Sequence, residues 1–376
     1  MKFIALGGTN YVGANCYYLS LGGQHFLLDC GRGTDRKHPY LPDFDALLEH
    51  ELLSLSQLDA VLLSHGHFDH VGSLNVLREM GCKTHAYATG MTIALMDALL
   101  VDKMPQRFAQ NGWERLSREM RSEDAIRSVT AVSYGKPFFI GPVKVTFYPA
   151  GHVPGAAMIY LESPEGNVLY TGDFQKGSFG LTGGMMLPEN LRTDILILCG
   201  MHAKHPTYLP VESLPLQAQA TRKLLSEGRN VHIQANQLTK SMETAQWLSR
   251  QMPDARIYLD RDTWTLGEKL EQAGETVMRR NFYRETDETG TDGGCITVGT
   301  REARPGERPL RVNISLHGVY SDCEKLVEQV KPKTVFLVHS PDDLWGIDGN
   351  TALSRHFASC DMDIISPLCG YVYSNE

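Results

Sequence analysis

The sequence contains no apolar run that approaches the roughly 20 residues needed for a membrane-spanning helix. Its opening stretch, MKFIALGG, reaches two glycines too soon to supply the apolar core of a signal peptide. We therefore expect no membrane partner and no cleaved leader. At 376 residues the chain can bury a sizeable core, and two domains are the default expectation.

Paired cysteines are also missing. The eight cysteines are scattered along the chain, and no two are arranged as C-x-x-C. In a chain of this length, such scattered cysteines are typical of buried, reduced thiols rather than of a disulfide framework. This cysteine usage predicts a cytoplasmic protein.

An excess of positive charge is absent as well. The chain has 36 Lys and Arg against 44 Asp and Glu, which gives a formal net charge of -8. It therefore has no overall positive field that would attract a polyanion. This balance counts against a nonspecific nucleic-acid binder, but it leaves room for a local basic groove.

The most informative feature present is the segment at 64–70, which reads SHGHFDH. It follows an apolar stretch at 60–63 that predicts a buried strand. On an extended backbone His65 and His67 point to the same side, whereas Asp69 and His70 lie past the bend and can face a second ion. Imidazole and carboxylate are ligands that Zn²⁺ accepts. Because burial without metal would leave these polar groups in need of partners, the segment predicts ligands for two metal ions.

Three distant residues have the same character, since each comes at the end of an apparent strand. His152 follows the β-like stretch at 145–148, Asp173 follows the one at 168–169, and His339 ends the stretch after Pro332. A polar residue beside a strand end is often only part of a turn, so each of them is weak alone. Together with residues 65–70, they predict one metal centre built from several strand ends.

These motifs resemble those of the metallo-β-lactamase fold, and more narrowly those of its β-CASP branch, the nucleases of RNA processing and DNA repair. Asp29 in LLDCG matches the first motif of the family, residues 65–70 match the second, His152 in AGHVPGAA matches the third and Asp173 matches the fourth. Two further histidines, His317 and His339, match the second and third motifs that are particular to the branch.

The resemblance implies an α/β fold with a small inserted domain. An αββα sandwich of the metallo-β-lactamase type would be formed by residues 1–203 and 311–376, and a β-CASP-like α/β domain by residues 204–310. Within the inserted range, the pattern predicts helices at 216–226 and 240–251 and strands at 230–234 and 256–259, an alternation typical of a parallel sheet. A strand at 311–316 would lead back to the first domain.

The resemblance also implies a role for each motif residue. His65, His67 and His152 would hold one Zn²⁺, Asp69, His70 and His339 would hold the other, and Asp173 would bridge them; Mn²⁺ is an alternative metal. Asp29 would hold a ligand histidine or loop amides in place rather than bind metal.

The implied reaction is hydrolysis of a phosphodiester by a hydroxide that bridges the two ions. Asp69 and Asp173 would take part in this catalysis, and His317 would act as an acid or as an oxyanion donor. The structural alternative for His317 is a core histidine at the end of a strand.

The chain departs from the branch after the apolar stretch at 195–198. The branch normally has an acid there, but this chain has Cys199 followed by Gly200. Neither Asp194 nor His202 is an obvious replacement. The sequence therefore leaves the role of this position open.

Three functions remain open at this point. A nuclease is favoured, with RNA preferred over DNA because RNA-acting members of the branch carry a histidine at the position of His339. The short sequences YLP at 208–210 and HGVY at 317–320 resemble those of the DNA-repair group, so DNA remains possible as the substrate. The acidic charge and the small insertion favour instead a hydrolase of a small ester, thioester, lactone or cyclic nucleotide. A non-catalytic scaffold is supported only by Cys199, and a homodimer is possible.

Overall fold

The chain folds into two compact units. The computed structural model describes residues 1–33, 37–100, 123–204, 206, 213–287, 289, 293–312, 314–341 and 352–374. The first unit comprises Met1–Lys176, Gly184–Tyr208 and His317–Glu376, and the second comprises Gly177–Gly183 and Leu209–Leu316. The segment Gly177–Gly183 therefore belongs to the second unit although it lies outside the predicted insertion at 204–310. Residues 208–210, whose sequence resembles that of the DNA-repair group, lie outside the described residues.

The first unit contains two seven-stranded sheets. The strands of the first sheet are β1 (Lys2–Gly7), β2 (Cys16–Leu21), β3 (Gln24–Leu28), β4 (Ala60–Leu62), β5 (His85–Thr89), β6 (Val129–Val132) and β19 (Val372–Ser374). Their spatial order is β19-β1-β2-β3-β4-β5-β6. Pairing is antiparallel from β19 to β3 and parallel from β3 to β6.

The second sheet has the same mixed character. Its strands are β7 (Phe138–Ile140), β8 (Val143–Pro149), β9 (Ala157–Ser163), β10 (Gly166–Tyr170), β11 (Ile195–Cys199), β17 (Thr334–Val338) and β18 (Asp363–Ile365). Their spatial order is β18-β17-β11-β10-β9-β8-β7. Neighbouring strands pair in parallel from β18 to β10 and in antiparallel from β10 to β7.

The first unit contains helices in addition to its two sheets. They are α1 (Phe44–His50), α2 (Phe68–Val71), α3 (Leu74–Glu79), α4 (Gly90–Leu100), α5 (Glu123–Arg127), α9 (Tyr320–Val330) and α10 (Ala352–His356). The 3₁₀ turn Leu55–Gln57 has a capping box between Ser54 and Gln57. The Asp43 carboxylate accepts a hydrogen bond from the amide of Ala46, which satisfies one free amide at the start of α1.

Alternating side chains of the first sheet enter two separate cores. Phe26 and Leu28 of β3 pack between the sheets with residues such as Phe147 and Ile197, whereas Leu27 packs on the other face with Leu47. This alternation follows from the two-residue period of a strand, and it explains why β3 is apolar on both faces. The layered α/β architecture confirms the predicted fold class.

The second unit is built around one parallel sheet. Its strands are β12 (Asn230–Ala235), β13 (Ile257–Leu259), β14 (Phe282–Arg284), β15 (Ile296–Gly299) and β16 (Glu307–Val312), in the spatial order β14-β13-β15-β12-β16. Its helices are α6 (Ser213–Ser226), α7 (Leu238–Gln251) and α8 (Arg261–Gln272). The Asp260 carboxylate caps α8 at Thr263 and also accepts from the amide of Thr300, so it joins α8 to the end of β15.

The predicted elements of the insertion are confirmed, but the strand predicted to lead back to the first domain is wrong. The predicted strands at 230–234 and 256–259 and the helices at 216–226 and 240–251 correspond to β12, β13, α6 and α7. The strand predicted at 311–316 is instead β16, which ends at Val312. Its pairing register with β12, Asn230 opposite Glu307 through Ala235 opposite Val312, sets its position, and this register is not visible in the local sequence.

Candidate metal centre

The conspicuous histidine segment leads from a strand into a short helix. β4 ends at Leu62, and His65 and His67 lie on the extended backbone that follows. α2 begins at Phe68, so Asp69 and His70 occupy its first turn. The bend at the start of α2 therefore separates the two pairs, as the sequence predicted.

The three distant candidates come from strands of the second sheet that run in one direction. β8 and β10 are both antiparallel to β9, and β10, β11 and β17 are mutually parallel. The carboxyl ends of β8, β10 and β17 therefore lie on one edge of the sheet. His152, Asp173 and His339 follow these three ends, which is where open α/β sheets place their functional side chains.

The first group of possible ligands contains three histidines and one aspartate. Nδ1 of His67 lies 3.1 Å from Nε2 of His65 and 3.2 Å from Nε2 of His152. Oδ2 of Asp173 lies 3.8 Å from the His65 nitrogen and 3.7 Å from the His152 nitrogen. One atom from each of the four residues falls within 4.8 Å of the others, a spacing that one metal ion can span.

The second group of possible ligands adjoins the same carboxylate, that of Asp173. Asp69, His70 and His339 offer ligand atoms within 4.8 Å of one another. Oδ2 of Asp69 lies 3.7 Å from Nε2 of His70 and 3.9 Å from Nε2 of His339. Asp173 faces this group as well, because its Oδ2 is 3.4 Å from Nε2 of His70 and its Oδ1 is 3.0 Å from Nδ1 of His339.

Several of these donor atoms are buried without a hydrogen bond. Oδ1 of Asp173 and Nδ1 of His339 lie 3.0 Å apart, but across the described ranges neither atom makes a well-aligned hydrogen bond, nor does Nε2 of His339, and both side chains are only 2 % exposed. Buried polar atoms of this kind are costly unless something pairs with them. Nitrogen and carboxylate donors are suited to Zn²⁺, and carboxylates also suit Mn²⁺, so the two groups fit two divalent cations.

Burial and charge act against each other at this centre. Burial, together with the charges of His70 and His67, lowers the pKa of His65 well below its usual range, which favours the neutral imidazole that binds metal. Burial also acts to raise the pKa of Asp173, but the charges of His339, His70 and His317 outweigh it and hold that pKa well below normal. Asp173 is therefore a carboxylate that needs cationic neighbours.

The carboxylate of Asp29 supports the centre by hydrogen bonds to the residues around it. Its Oδ2 accepts hydrogen bonds from Tyr170 Oη at 2.5 Å and from Ser64 Oγ at 2.6 Å, and it lies 2.7 Å from Nδ1 of His70. Its Oδ1 accepts from the amide of Ser64 at 2.6 Å. With Nδ1 of His70 turned toward Asp29, Nε2 is left to face the ligand groups.

Two residues of the centre adopt left-handed backbone conformations. Asp29 has φ 60° and His339 has φ 49°. Residues other than glycine rarely adopt such angles, and those that do are often found at functional sites. The backbone thus turns sharply at the ends of β3 and β17, where these side chains enter the centre.

Asn15 and Gly31 fix the position of α2. The Nδ2 of Asn15 donates to the carbonyl of Asp69 at 3.0 Å and lies 3.0 Å from Nε2 of His70. A Cβ atom at Gly31 would lie 1.7 Å from the Asp69 carbonyl oxygen, so only glycine fits there. Neither residue was predicted from the sequence, because neither has ligand chemistry.

His317 lies beside the first ligand group. Its Nδ1 is 3.6 Å from Oδ2 of Asp173, and its ring centroid is 4.6 Å from that of His152. Burial lowers the pKa of His317 well below its usual range. The charge of Asp173 acts to raise that pKa, whereas the charge of His152 lowers it further. His202, half-buried in the turn after β11, presents its ring edge-on to His317 at 6.2 Å between centroids.

Cys199 ends β11 and also reaches this centre. Its backbone amide donates to Oγ1 of Thr171 at 2.9 Å, and its sulfur lies within 4.8 Å of a carboxylate oxygen of Asp173. Burial, and then the charge of Asp173, raises the pKa of the Cys199 thiol well above normal. The cysteine that stands where the branch has an acid is therefore in contact with the central carboxylate.

All the sequence-predicted site residues lie in one region of the first unit. The ligand candidates are His65, His67, Asp69, His70, His152, Asp173 and His339, with Asp29 and His317 next to them. The contacts that Ser64, Tyr170 and Asn15 make were not predicted. For Ser64 alone the sequence offers a signal, since it directly precedes His65 in the motif.

The family of the chain is identified by sequence comparison. Residues 10–195 match the sequence model of the Metallo-beta-lactamase superfamily. The chain is also similar to Ribonuclease TTHA0252 of Thermus thermophilus, at 27% identity over 69% of this chain and 58% of the relative. It resembles Endoribonuclease YSH1 of Gibberella zeae at 29% identity, over 52% of this chain and 23% of that protein.

A solved structure supports the fold over nearly the whole chain. The crystal structure of a protein of unknown function from Enterococcus faecalis V583 superposes with a TM-score of 0.67 and 14% sequence identity, covering 99% of both chains. The two curated ribonucleases are longer, and this chain spans 58% and 23% of their lengths. Together with the layered sheets and the two ligand groups, these matches show that residues 10–195 form a metallo-β-lactamase domain and that the chain has β-CASP nucleases among its relatives.

Proposed function

We propose that this protein is a dinuclear zinc hydrolase that cleaves phosphodiester bonds in nucleic acid, with RNA preferred over DNA. One observation carries the proposal: two groups of buried ligand atoms meet at the single carboxylate of Asp173. A carboxylate shared in this way is suited to hold two cations a few ångströms apart. That arrangement is used for in-line displacement at phosphorus.

The proposed division of ligands follows the two groups. His65, His67 and His152 hold one ion, Asp69, His70 and His339 hold the other, and Asp173 bridges them. When bound, the pair of ions would activate water and would stabilise charge on the phosphoryl oxygens. Zn²⁺ suits the histidine-rich set, and Mn²⁺ is a possible substitute.

We assign proton acceptance and stabilisation of the leaving oxygen to two of the protein's own side chains. Asp69 is the more exposed of the two aspartates, with 15 % of its side chain accessible, and we assign its free carboxylate oxygen to accept a proton from the attacking water. His317 is 19 % exposed and is set against Asp173. A neutral His317 can donate an N–H to the leaving oxygen as charge builds there.

The substrate class is supported by the relatives. Two of them are named as a ribonuclease and an endoribonuclease, which favours RNA for this chain. Cleavage of DNA is the alternative within the same chemistry. Within the described residues, no helix is both long and apolar enough to cross a membrane. The possible homodimer has no support from the relatives.

Hydrolysis of a small molecule remains the second candidate because of one observation. The net charge of -8 opposes the approach of a long polyanion. A small phosphodiester, lactone or thioester would not face that barrier to the same extent.

The test gives the purified protein end-labelled single-stranded RNA and DNA with Zn²⁺ or Mn²⁺. An Asp69→Ala/His70→Ala variant serves as the inactive control, and His85→Ala, an exposed histidine of β5, serves as the matched histidine control. We expect RNA to be cut faster than DNA by the wild type and by His85→Ala only. If fully metal-loaded protein cuts neither polymer but hydrolyses bis-p-nitrophenyl phosphate, the small-molecule candidate replaces the nuclease.

A further inference from the structure

A third group of ligand atoms adjoins the centre and is not used by the proposed reaction. Asp173, Cys199 and His317 offer a carboxylate oxygen, a sulfur and a ring nitrogen that all lie within 4.8 Å of one another. Asp173 and Cys199 are buried, and His317 is mostly buried. This group contains the only sulfur among the three possible metal-binding groups of the described residues.

The position of Cys199 in the sheet directs its sulfur into the centre. β11 lies between β10 and β17, the two strands whose ends lead to Asp173 and His339. The amide of Cys199 donates to Oγ1 of Thr171, and its sulfur lies within 4.8 Å of a carboxylate oxygen of Asp173. His317 approaches the same carboxylate, since its Nδ1 lies 3.6 Å from Oδ2 of Asp173.

We propose that Asp173, Cys199 and His317 bind a further thiophilic cation such as Zn²⁺, and that this cation inhibits the enzyme. Sulfur selects Zn²⁺, Co²⁺ or Cd²⁺ over Mn²⁺ and Mg²⁺. On binding, the thiol loses its proton to solvent, and the thiolate charge offsets part of the repulsion from neighbouring ions.

Inhibition follows from the identity of the third ligand. An ion bound to His317 occupies the side chain that the proposed function uses to donate a hydrogen bond to the leaving oxygen, so this part of the proposal rests on that function. Binding of the ion does not depend on it. The site would therefore limit activity when zinc is abundant and would have no effect with Mn²⁺.

The binding test uses Co²⁺ as a spectroscopic probe. The exposed Cys360 and Cys369 are first replaced by serine, so that surface thiols do not contribute. We expect excess Co²⁺ to produce a near-ultraviolet sulfur-to-cobalt charge-transfer band, which Cys199→Ser loses while the visible bands of the other ions remain. Cys323→Ser is the matched control, since this buried thiol lies 4.0 Å from the Cys199 carbonyl and is outside the group, and it should keep the band.

A second measurement decides the question even if Cys199→Ser fails to fold. X-ray absorption of the zinc-saturated protein in the same cysteine background should show a Zn–S distance of about 2.3 Å. A first shell fitted by nitrogen and oxygen alone overturns the proposal, as does a charge-transfer band that persists in Cys199→Ser.

Cleavage assays separate this proposal from the proposed function. Excess Zn²⁺ should suppress RNA cleavage by the wild type but should leave Cys199→Ser at its own low-zinc rate. Zinc–sulfur scattering in a protein that cuts no nucleic acid would sink the nuclease and retain the cation site. Cleavage of nucleic acid without any zinc–sulfur signal would overturn the cation site and retain the nuclease.

Discussion

Nδ1 of His70 lies 2.7 Å from Oδ2 of Asp29, and both side chains are almost completely buried. The carboxylate also accepts hydrogen bonds from Ser64 and Tyr170, so its position is determined from several sides. This arrangement fixes the His70 ring with Nε2 3.4 Å from the Asp173 carboxylate. Asp29 thus orients a metal-facing ring without facing the ligand groups itself.

We predict that Asp29→Asn weakens metal binding without unfolding the first unit. Asparagine tolerates the left-handed backbone found at this position, but it lacks the charge that holds the His70 ring. Loss of such a supporting group lowers metal affinity by about 10–100-fold. Competition with a coloured chelator measures this affinity.

Asp59→Asn is the matched control, because Asp59 also accepts a backbone hydrogen bond but does so at His25, away from the centre. Unchanged chelator competition in Asp29→Asn would show that Asp29 has no part in orienting His70. An equal loss in both variants would point to a general effect on the fold.

We predict that Gly31→Ala disrupts the centre by steric conflict. A Cβ atom at this position would lie 1.7 Å from the backbone carbonyl oxygen of Asp69 and 2.7 Å from the backbone nitrogen of Asn15. α2 would have to move, and Asp69 and His70 would move with it. We expect lower metal content and a lower melting temperature.

Gly90→Ala provides the comparison, since a Cβ atom at Gly90 would meet nothing within 4 Å. Metal content measured by elemental analysis should stay at the wild-type level in this variant. A Gly31→Ala protein with full metal content would contradict the close approach.

Sequence patterns brought out the candidate ligands more fully than the residues that support them. His65, His67, Asp69 and His70 share one motif, and β-like stretches precede the other candidate ligands. The contacts of Asp29 with Tyr170 join residues 141 positions apart, and no local pattern contains that information. The same limit applies to β16, whose bounds depend on its register with β12 rather than on its own residues.

We predict that His317→Gln slows cleavage and leaves the two metal ions in place. Glutamine keeps much of the volume, but its amide does not place an N–H where the imidazole donates to the leaving oxygen. Loss of one such oxyanion donor typically costs about 10²–10³-fold in rate. Single-turnover RNA cleavage, at metal concentrations that fill only the seven-residue set, measures the effect.

Metal content measured on the same samples supplies the check. If His317→Gln loses one of the two ions together with activity, His317 is a ligand of the main centre and the proposed division of roles fails. Wild-type rates with full metal content would instead favour the structural role of a core histidine.

We predict that removal of metal destabilises the first unit. The buried atoms of Asp173 and His339 that lack well-aligned hydrogen bonds would gain ligand contacts when cations bind. A ligand present at a hundred times its Kd stabilises the folded state by about 2.7 kcal/mol per site. Thermal melting with and without a chelator measures this difference, and the Asp69→Ala/His70→Ala variant should respond less. Identical melting curves after complete metal removal would contradict the prediction.

Glu243 of α7 is a buried acid with an incomplete set of partners. Its Oε2 accepts a hydrogen bond from the amide of Leu181 at 2.7 Å, and within the described residues its Oε1 has none. Arg250, on the same helix, donates to the carbonyl of Gly180. Both side chains thus hold the segment Gly177–Gly183 against α7. Burial, only partly offset by the Leu181 amide and the charge of Arg250, raises the pKa of Glu243 from 4.5 to about 7.

We predict that Glu243→Gln stabilises the second unit at pH 8 but not at pH 4.5. Between pH 4.5 and about 7 the folded protein holds a proton on Glu243 that the unfolded chain has released, so stability falls as the pH rises through this range. Above pH 7 the full penalty applies, and it amounts to about 3 kcal/mol. Glutamine removes that penalty because it stays neutral, and its amide oxygen can still accept from Leu181. Urea unfolding at the two pH values measures the effect, with Glu268→Gln on the exposed face of α8 as the control. An equal change in stability at both pH values would show that Glu243 is not protonated on folding.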